Sequence, residues 1–253
     1  GDHGCQNSHQ PPKIAMPHDR HPWRLKDMTP GALRERLAER AALIVPVGTT
    51  EQHGPHLPLG CDSLIVERLA DDLSALSGVP RTPTVEYGVH TPIPSFPGGA
   101  SLSRKTLHRV MNELIGSWEL GAGVKEFLIL TAQANDAHQE ALSTIRTDSA
   151  RVLAVDIFDL DFGDRLERPD DPVQGGELDT SLLLFIAPDL VRMDIAQDYI
   201  LPANERDFRP GTSRRIPAGF PGSVGFPSLA TAQKGERLYS FILEQVQHCL
   251  NAC

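Results

Sequence analysis

Leu43 to Asp62 reads LIVPVGTTEQHGPHLPLGCD. It opens inside an apolar run, Ala41-Ala42-Leu43-Ile44-Val45, closed by Pro46 and Gly48, which predicts a short buried strand. Glu51, His53, His56 and Asp62 follow among turn-forming residues. Charged and imidazole groups just past a buried strand stand where open α/β sheets bind their ligands. Glu51 and His53 are two apart, so an extended segment points both to one side. Asp62 comes nine residues after His53, at the head of an amphipathic pattern. Two carboxylates and an imidazole converging there suit Zn²⁺ or Mn²⁺. The other reading is a polar loop whose side chains only form hydrogen bonds.

The bulk numbers narrow the classes. The chain has 253 residues, 40% hydrophobic and 23% charged, enough for one large domain. A net charge of −9 argues against nonspecific binding to nucleic acid or anionic membrane. No apolar run approaches the ~20 residues of a membrane span. Cys5, Cys61, Cys249 and Cys253 form no CxxC pair, and this usage fits a reducing cytoplasm. Residues 1–20 are polar without an apolar stretch of signal-peptide type, and read as a disordered tail or as residues foreign to the domain. Residues 21–253 read as a single domain.

Hydrophobic periodicity supplies the remaining elements. Thr29 and Pro30 mark the start of a helix running to about Arg40. Leu64 to Leu76 carries one apolar stripe. Thr82 to Val89 predicts a second strand, followed by a long Pro/Gly loop containing His90. Ser103 to Leu120 reads as a helix ended by Gly121-Ala122-Gly123, Phe127 to Leu130 as a central strand, Ala134 to Ala150 as a helix, and Val152 to Val155 as a strand. Asp156, Asp159, Asp161 and Asp164 lack the spacing of a Ca²⁺ loop and read as a solvated loop. Gly235 to Leu250 forms the closing amphipathic helix. Asp62 suits either a ligand or a helix cap. Cys61 suits either a reactive thiol or a small buried residue, the second being favoured because no general base neighbours it in sequence.

The run Pro46 to Asp62 resembles the signature of the creatininase (creatinine amidohydrolase) family, P-x-G-S-x-E-Q-H-G-P-H-L-P-L-x-x-D, almost without interruption. The resemblance extends from about Trp23 to the C-terminus and implies a creatininase-like α/β/α sandwich of three layers with a mostly parallel sheet. It also implies a small-molecule substrate, a homo-oligomer, and hydrolysis of small cyclic amides, formamides and related C–N bonds by metal-activated water. On this resemblance Glu51, His53 and Asp62 bind a pair of divalent metals, with Asp62 bridging and capping left to Ser63.

The chain also departs from the pattern. Where relatives read N-G-H-G-G-N or N-G-H-x-E-N, it reads Thr131-Ala132-Gln133-Ala134-Asn135-Asp136. Gln133 stands at the ligand histidine and offers only a neutral carbonyl oxygen, a weaker donor. A five-residue slip would instead offer His138 and Glu140, on different helix faces; the ungapped alignment leaves His138 as a helix residue near the site and a proton-transfer candidate. Gln174 to Ser181 resembles H-A-G-x-x-E-T-S, with Gln174 for histidine and Asp179 at the acidic ligand position. Asp179 reads equally as a ligand or as a cap, and Glu177 as the nearest free carboxylate for proton transfer. His90 is the loop candidate for acid–base work. Phe226 replaces the aspartate of G-x-x-G-D-P, and Arg206, Arg209, Arg214 and Arg215 line a segment suited to an anionic substrate or a neighbouring subunit. Three functions follow: a metal-dependent amidohydrolase; a metal-poor relative catalysing acyl transfer, cyclisation or isomerisation in biosynthesis; or a non-catalytic binding subunit.

Overall fold

The computed structural model describes residues 21–93, 95–168, 174–202 and 216–252. The basic arginines of the 203–215 segment and the tail 1–20 lie outside them. Three strands, β1 (Ala42–Val47), β2 (Glu126–Thr131) and β3 (Arg151–Asp156), form a parallel sheet in the order β1-β2-β3. Among the described residues six α-helices accompany it: α1 (Pro30–Glu39), α2 (Cys61–Ser77), α3 (Arg104–Ala122), α4 (Asp136–Ser143), α5 (Glu177–Ile186) and α6 (Ala232–Ala252).

The strands are apolar on both faces, as a sheet covered by helices on both sides requires. Ala42, Ile44, Leu128 and Leu130 pack with α2, α5 and α6. Leu43, Val45, Val47, Phe127 and Ile129 pack with α3 and α4 and reach the α1 side chains Leu33 and Leu37. This is the expected three-layer sandwich. Thr29 caps α1 through its hydroxyl, which accepts from Ala32 N–H at 3.3 Å.

Three local expectations need correction. The segment Thr82 to Val89 is not a continuous strand: Arg81 and Val85 make isolated parallel bridges to β1, through Thr82 N–H to Ile44 O and Gly48 N–H to Val85 O. Pro83 lies between them without an N–H to donate. The helix expected to run to Ala150 stops at Ser143, because the Glu119 carboxylate captures the backbone N–H groups of Asp148, Ser149 and Ala150 at 2.6–3.0 Å. Asp156 is buried rather than solvated, accepting from Phe158 N–H and Gln139 Nε2.

Candidate active site

The site forms where β1 and β2 end and α2 and α5 begin. The turn after β1 brings Gly48 against the start of α2 so closely that a Cβ there would lie 2.6 Å from Ser63 Cα. On the other side Gly175, at φ +68°, lets the chain before α5 approach the His53 backbone; a Cβ would lie 2.9 Å from its carbonyl carbon. Glu51, His53, Cys61, Asp62, Gln133 and Asp179 are all buried there.

His53 Nδ1–H donates to the Glu51 carbonyl at 3.2 Å, which turns Nε2 toward Asp62 Oδ1, 3.0 Å away. Asp62 Oδ2 accepts from Thr49 Oγ1 and, at 3.3 Å, from Gln133 Nε2. Asp62 therefore does not cap α2, and neither does Ser63, whose hydroxyl donates to Thr49 O; the N-cap is Gly60. Asp179 lies in the first turn of α5 and accepts from Gly175 N–H through Oδ2 at 2.6 Å. Its Oδ1 is buried and has no hydrogen-bonding partner among the described residues.

Burial and mutual repulsion govern the charges. Burial, reinforced by Asp62 and Asp179, raises the Glu51 carboxyl to about 7 against the pull of His53, and burial raises Asp179 to about 6. Burial disfavours the charged His53 imidazole, but Asp62, then Asp179 and Glu51, outweigh it and hold the ring proton up to about 10. In the metal-free protein a proton between His53 and Asp62 thus does what a cation would do.

Three candidates occupy different roles from those expected. Gln133 turns its amide nitrogen, not its oxygen, to the carboxylates: Nε2 donates to Glu51 Oε2 at 2.6 Å, while Oε1 accepts from Asn135 N–H at 3.2 Å. A backbone N–H can only donate, so the amide orientation is fixed and the oxygen is spent. Asn135 caps α4, accepting from Ala137 and His138 N–H. Glu177 does not face the site. Residues two apart on a helix point to nearly opposite sides, so the turn that directs Asp179 inward sends Glu177 to Lys234 Nζ and to the backbone N–H groups of Glu167 and Arg168.

His138 is fully buried with both ring nitrogens engaged: Nδ1 accepts from Val89 N–H at 3.0 Å and Nε2–H donates to Thr131 Oγ1 at 2.8 Å. It anchors the His90 loop and carries no mobile proton. The slip that would pair it with Glu140 fails, since Glu140 is exposed and meets Arg104 at 3.1 Å. Burial lowers the His138 pKa from 6.5 to about 4. The unfolded chain therefore binds the extra proton between these values, and the stability carried by neutral His138 is present above pH 6.5 and lost as pH falls toward 4. In metal-free protein, the stability gap between wild type and His138→Gln is expected to shrink by up to about 3 kcal/mol across that window. Urea denaturation as a function of pH measures it, and a gap independent of pH would contradict the assignment.

His90 does reach the site. It is buried, and Nδ1 lies 3.6 Å from Glu51 Oε1. Cys61 is fully buried, as the favoured sequence reading has it, but that reading did not place it in the site: its sulfur, a His53 nitrogen and an Asp62 oxygen all lie within 4.8 Å of one another. The signal was its position immediately before Asp62.

A family model described as creatinine amidohydrolase matches residues 26–250. The chain belongs to the creatininase family. This is a family of hydrolases acting on C–N bonds. The chain is 30% identical over 219 residues to the mycofactocin precursor peptide peptidase of Mycolicibacterium smegmatis, covering 82% of each chain. It is 26% identical over 231 residues to the creatinine amidohydrolase of Pseudomonas putida, covering 81% of this chain and 86% of that one. A crystal structure of creatininase superposes with a TM-score of 0.75 at 21% identity, covering 91% of this chain and 97% of the other, and shares the fold. Solved creatininases include a Zn-Zn form and a manganese form.

The donor set of this creatininase-family site fits a divalent ion. Asp179 Oδ1 is buried without a partner, and His53 Nε2 and Asp62 Oδ1 converge at 3.0 Å, the spacing of two ligands on one ion. Among the described residues, no helix is long and apolar enough to cross a membrane.

Proposed function

We propose that this chain hydrolyses an amide C–N bond in a small metabolite or a short peptide, using a divalent ion held by His53 and Asp62 with Asp179 and Glu51 beside them. The observation that carries the reading is the approach of buried Asp62 Oδ1 to His53 Nε2 at 3.0 Å, with the carboxylates of Glu51 and Asp179 buried nearby and Asp179 Oδ1 left unpartnered among the described residues. Like charges brought together in a low-dielectric setting are costly unless a cation compensates them. When bound, such an ion lowers the pKa of water and polarises a carbonyl.

The residues contribute orientation and proton handling. Glu51 O fixes the His53 tautomer, and Thr49 Oγ1 fixes the Asp62 carboxylate. Glu51 Oε1 and His90 Nδ1, 3.6 Å apart, form the pair suited to pass a proton to the leaving nitrogen. The substrate range draws on the two relatives, one named for a cyclic amide and one for a precursor peptide. Self-association belongs to the same reading: Leu190, Met193 and Ile195 are exposed apolar side chains close in sequence that a second copy would cover.

Amine release from a panel of lactams, formamides and short peptides tests the reading. Turnover is expected to vanish on chelation and to return with Zn²⁺ or Mn²⁺. Turnover indifferent to chelator would overturn it. The second reading, non-hydrolytic chemistry at a metal-poor site, has one observation in its favour: Gln133 Nε2 already donates to both Glu51 and Asp62. It predicts metal-free protein with no amine release on the whole panel.

A further inference from the structure

We propose that Cys61 is a metal ligand, taking with His53 and Asp62 the three protein positions of a one-ion, zinc-preferring centre whose fourth position is left to water, and that the Gln133 amide occupies the place of a second cation. This rests on the hydrolase reading above but departs from a two-metal site in both donor type and stoichiometry.

Two observations converge. The Cys61 sulfur, a His53 nitrogen and an Asp62 oxygen lie within 4.8 Å of one another. Ligand atoms about 2.0–2.3 Å from one tetrahedral zinc are separated by about 3–4 Å, so small side-chain adjustments close the set. Asp62 Oδ1 and Asp179 Oδ1, each in a side chain 1% exposed by residue, are buried without a hydrogen bond among the described residues; the first belongs to this group of donors, and the second stands outside it. Three protein donors leave the fourth position open, as a catalytic zinc requires. On binding, the sulfur gives its proton to solvent and the thiolate becomes a donor.

Gln133 accounts for the stoichiometry. Two of its amide N–H bonds already reach Glu51 Oε2 and Asp62 Oδ2, the oxygens that a second cation would have to draw together. Its oxygen is committed to Asn135 N–H. A neutral donor there offsets part of the carboxylate repulsion without a second ion. A thiolate in the remaining set favours zinc over manganese, which prefers oxygen donors.

Titration of metal-free wild-type protein with Co²⁺, followed by absorbance, tests this without relying on activity. We expect saturation at one equivalent per chain with a thiolate-to-cobalt charge-transfer band in the near ultraviolet. Cys61→Ser should lose that band and bind zinc on the order of 100-fold more weakly. Gln133→His should saturate at two equivalents. Co²⁺ bound by the wild type without the band would overturn the proposal while leaving the hydrolase reading intact, as would two equivalents in the wild type. No Co²⁺ bound at all would overturn both. The wild-type spectrum decides the thiolate question even if a variant fails to fold.

Discussion

Asp62→Asn is expected to lower kcat/KM by more than about 100-fold and to strip the protein of its bound ion. Asp62 Oδ2 accepts from Thr49 Oγ1 and Gln133 Nε2, and Oδ1 lies 3.0 Å from His53 Nε2. Asparagine keeps the volume but offers one neutral oxygen, and its amide nitrogen would face either a donor or the intended cation. Two effects oppose in the metal-free state: removing the Asp62 charge relieves its repulsion with Glu51 and Asp179, and it takes the counter-charge from buried His53. The expected signature is lost activity and metal with an apo melting temperature changed by no more than about 5 °C. Elemental analysis, steady-state kinetics and a thermal scan read all three. A variant that keeps its metal and most of its activity would remove Asp62 from the centre.

The second large effect is on stability. Lys234→Met is expected to destabilise the protein by about 3–5 kcal/mol, on the order of 10 °C in Tm. Lys234 is 6% exposed, and its ammonium donates to Glu177, to Glu167 at 2.9 Å and to the Leu229 carbonyl at 2.6 Å. Its loss leaves the buried Glu177 carboxylate with only the Glu167 and Arg168 backbone N–H groups. Glu177→Gln should be milder in stability and should leave metal content and kcat nearly intact, because Glu177 ties α5 to α6 and does not touch the reacting atoms. A collapse of kcat with unchanged Tm in Glu177→Gln would return that residue to a catalytic role.

These residues show what the sequence made legible. The strands β1, β2 and β3 are short apolar runs flanked by turn residues, and local composition is enough to place them. The caps of α1 and α3, Thr29 and Ser103, are local too. The failures have partners far along the chain. Glu119 ends α4 from 29 to 31 residues before the N–H groups it binds, and Lys234 claims Glu177 from 57 residues away. No periodicity encodes such pairings.

The site divides in the same manner. The continuous run from Glu51 to Asp62 and the aligned Asp179 named carboxylates and an imidazole that the fold buries where β1 and β2 end and α2 and α5 begin. Cys61 read as a small buried residue and is one, while its approach to a His53 nitrogen comes from the fold and not from its sequence neighbours. Gln133 looked like a weak oxygen ligand, but the direction of its amide depends on the Asn135 N–H. His138 looked like a proton carrier until Val89 and Thr131 were seen to use both nitrogens.

The central claim is a metal-dependent hydrolase site in which Gln133 stands where the family resemblance implies a ligand histidine. Elemental analysis of tag-free native protein, purified without chelator, tests it most directly. One tightly held divalent ion per chain, zinc in preference to manganese, is the predicted result. Protein free of metal that still binds none after incubation with Zn²⁺ would contradict it.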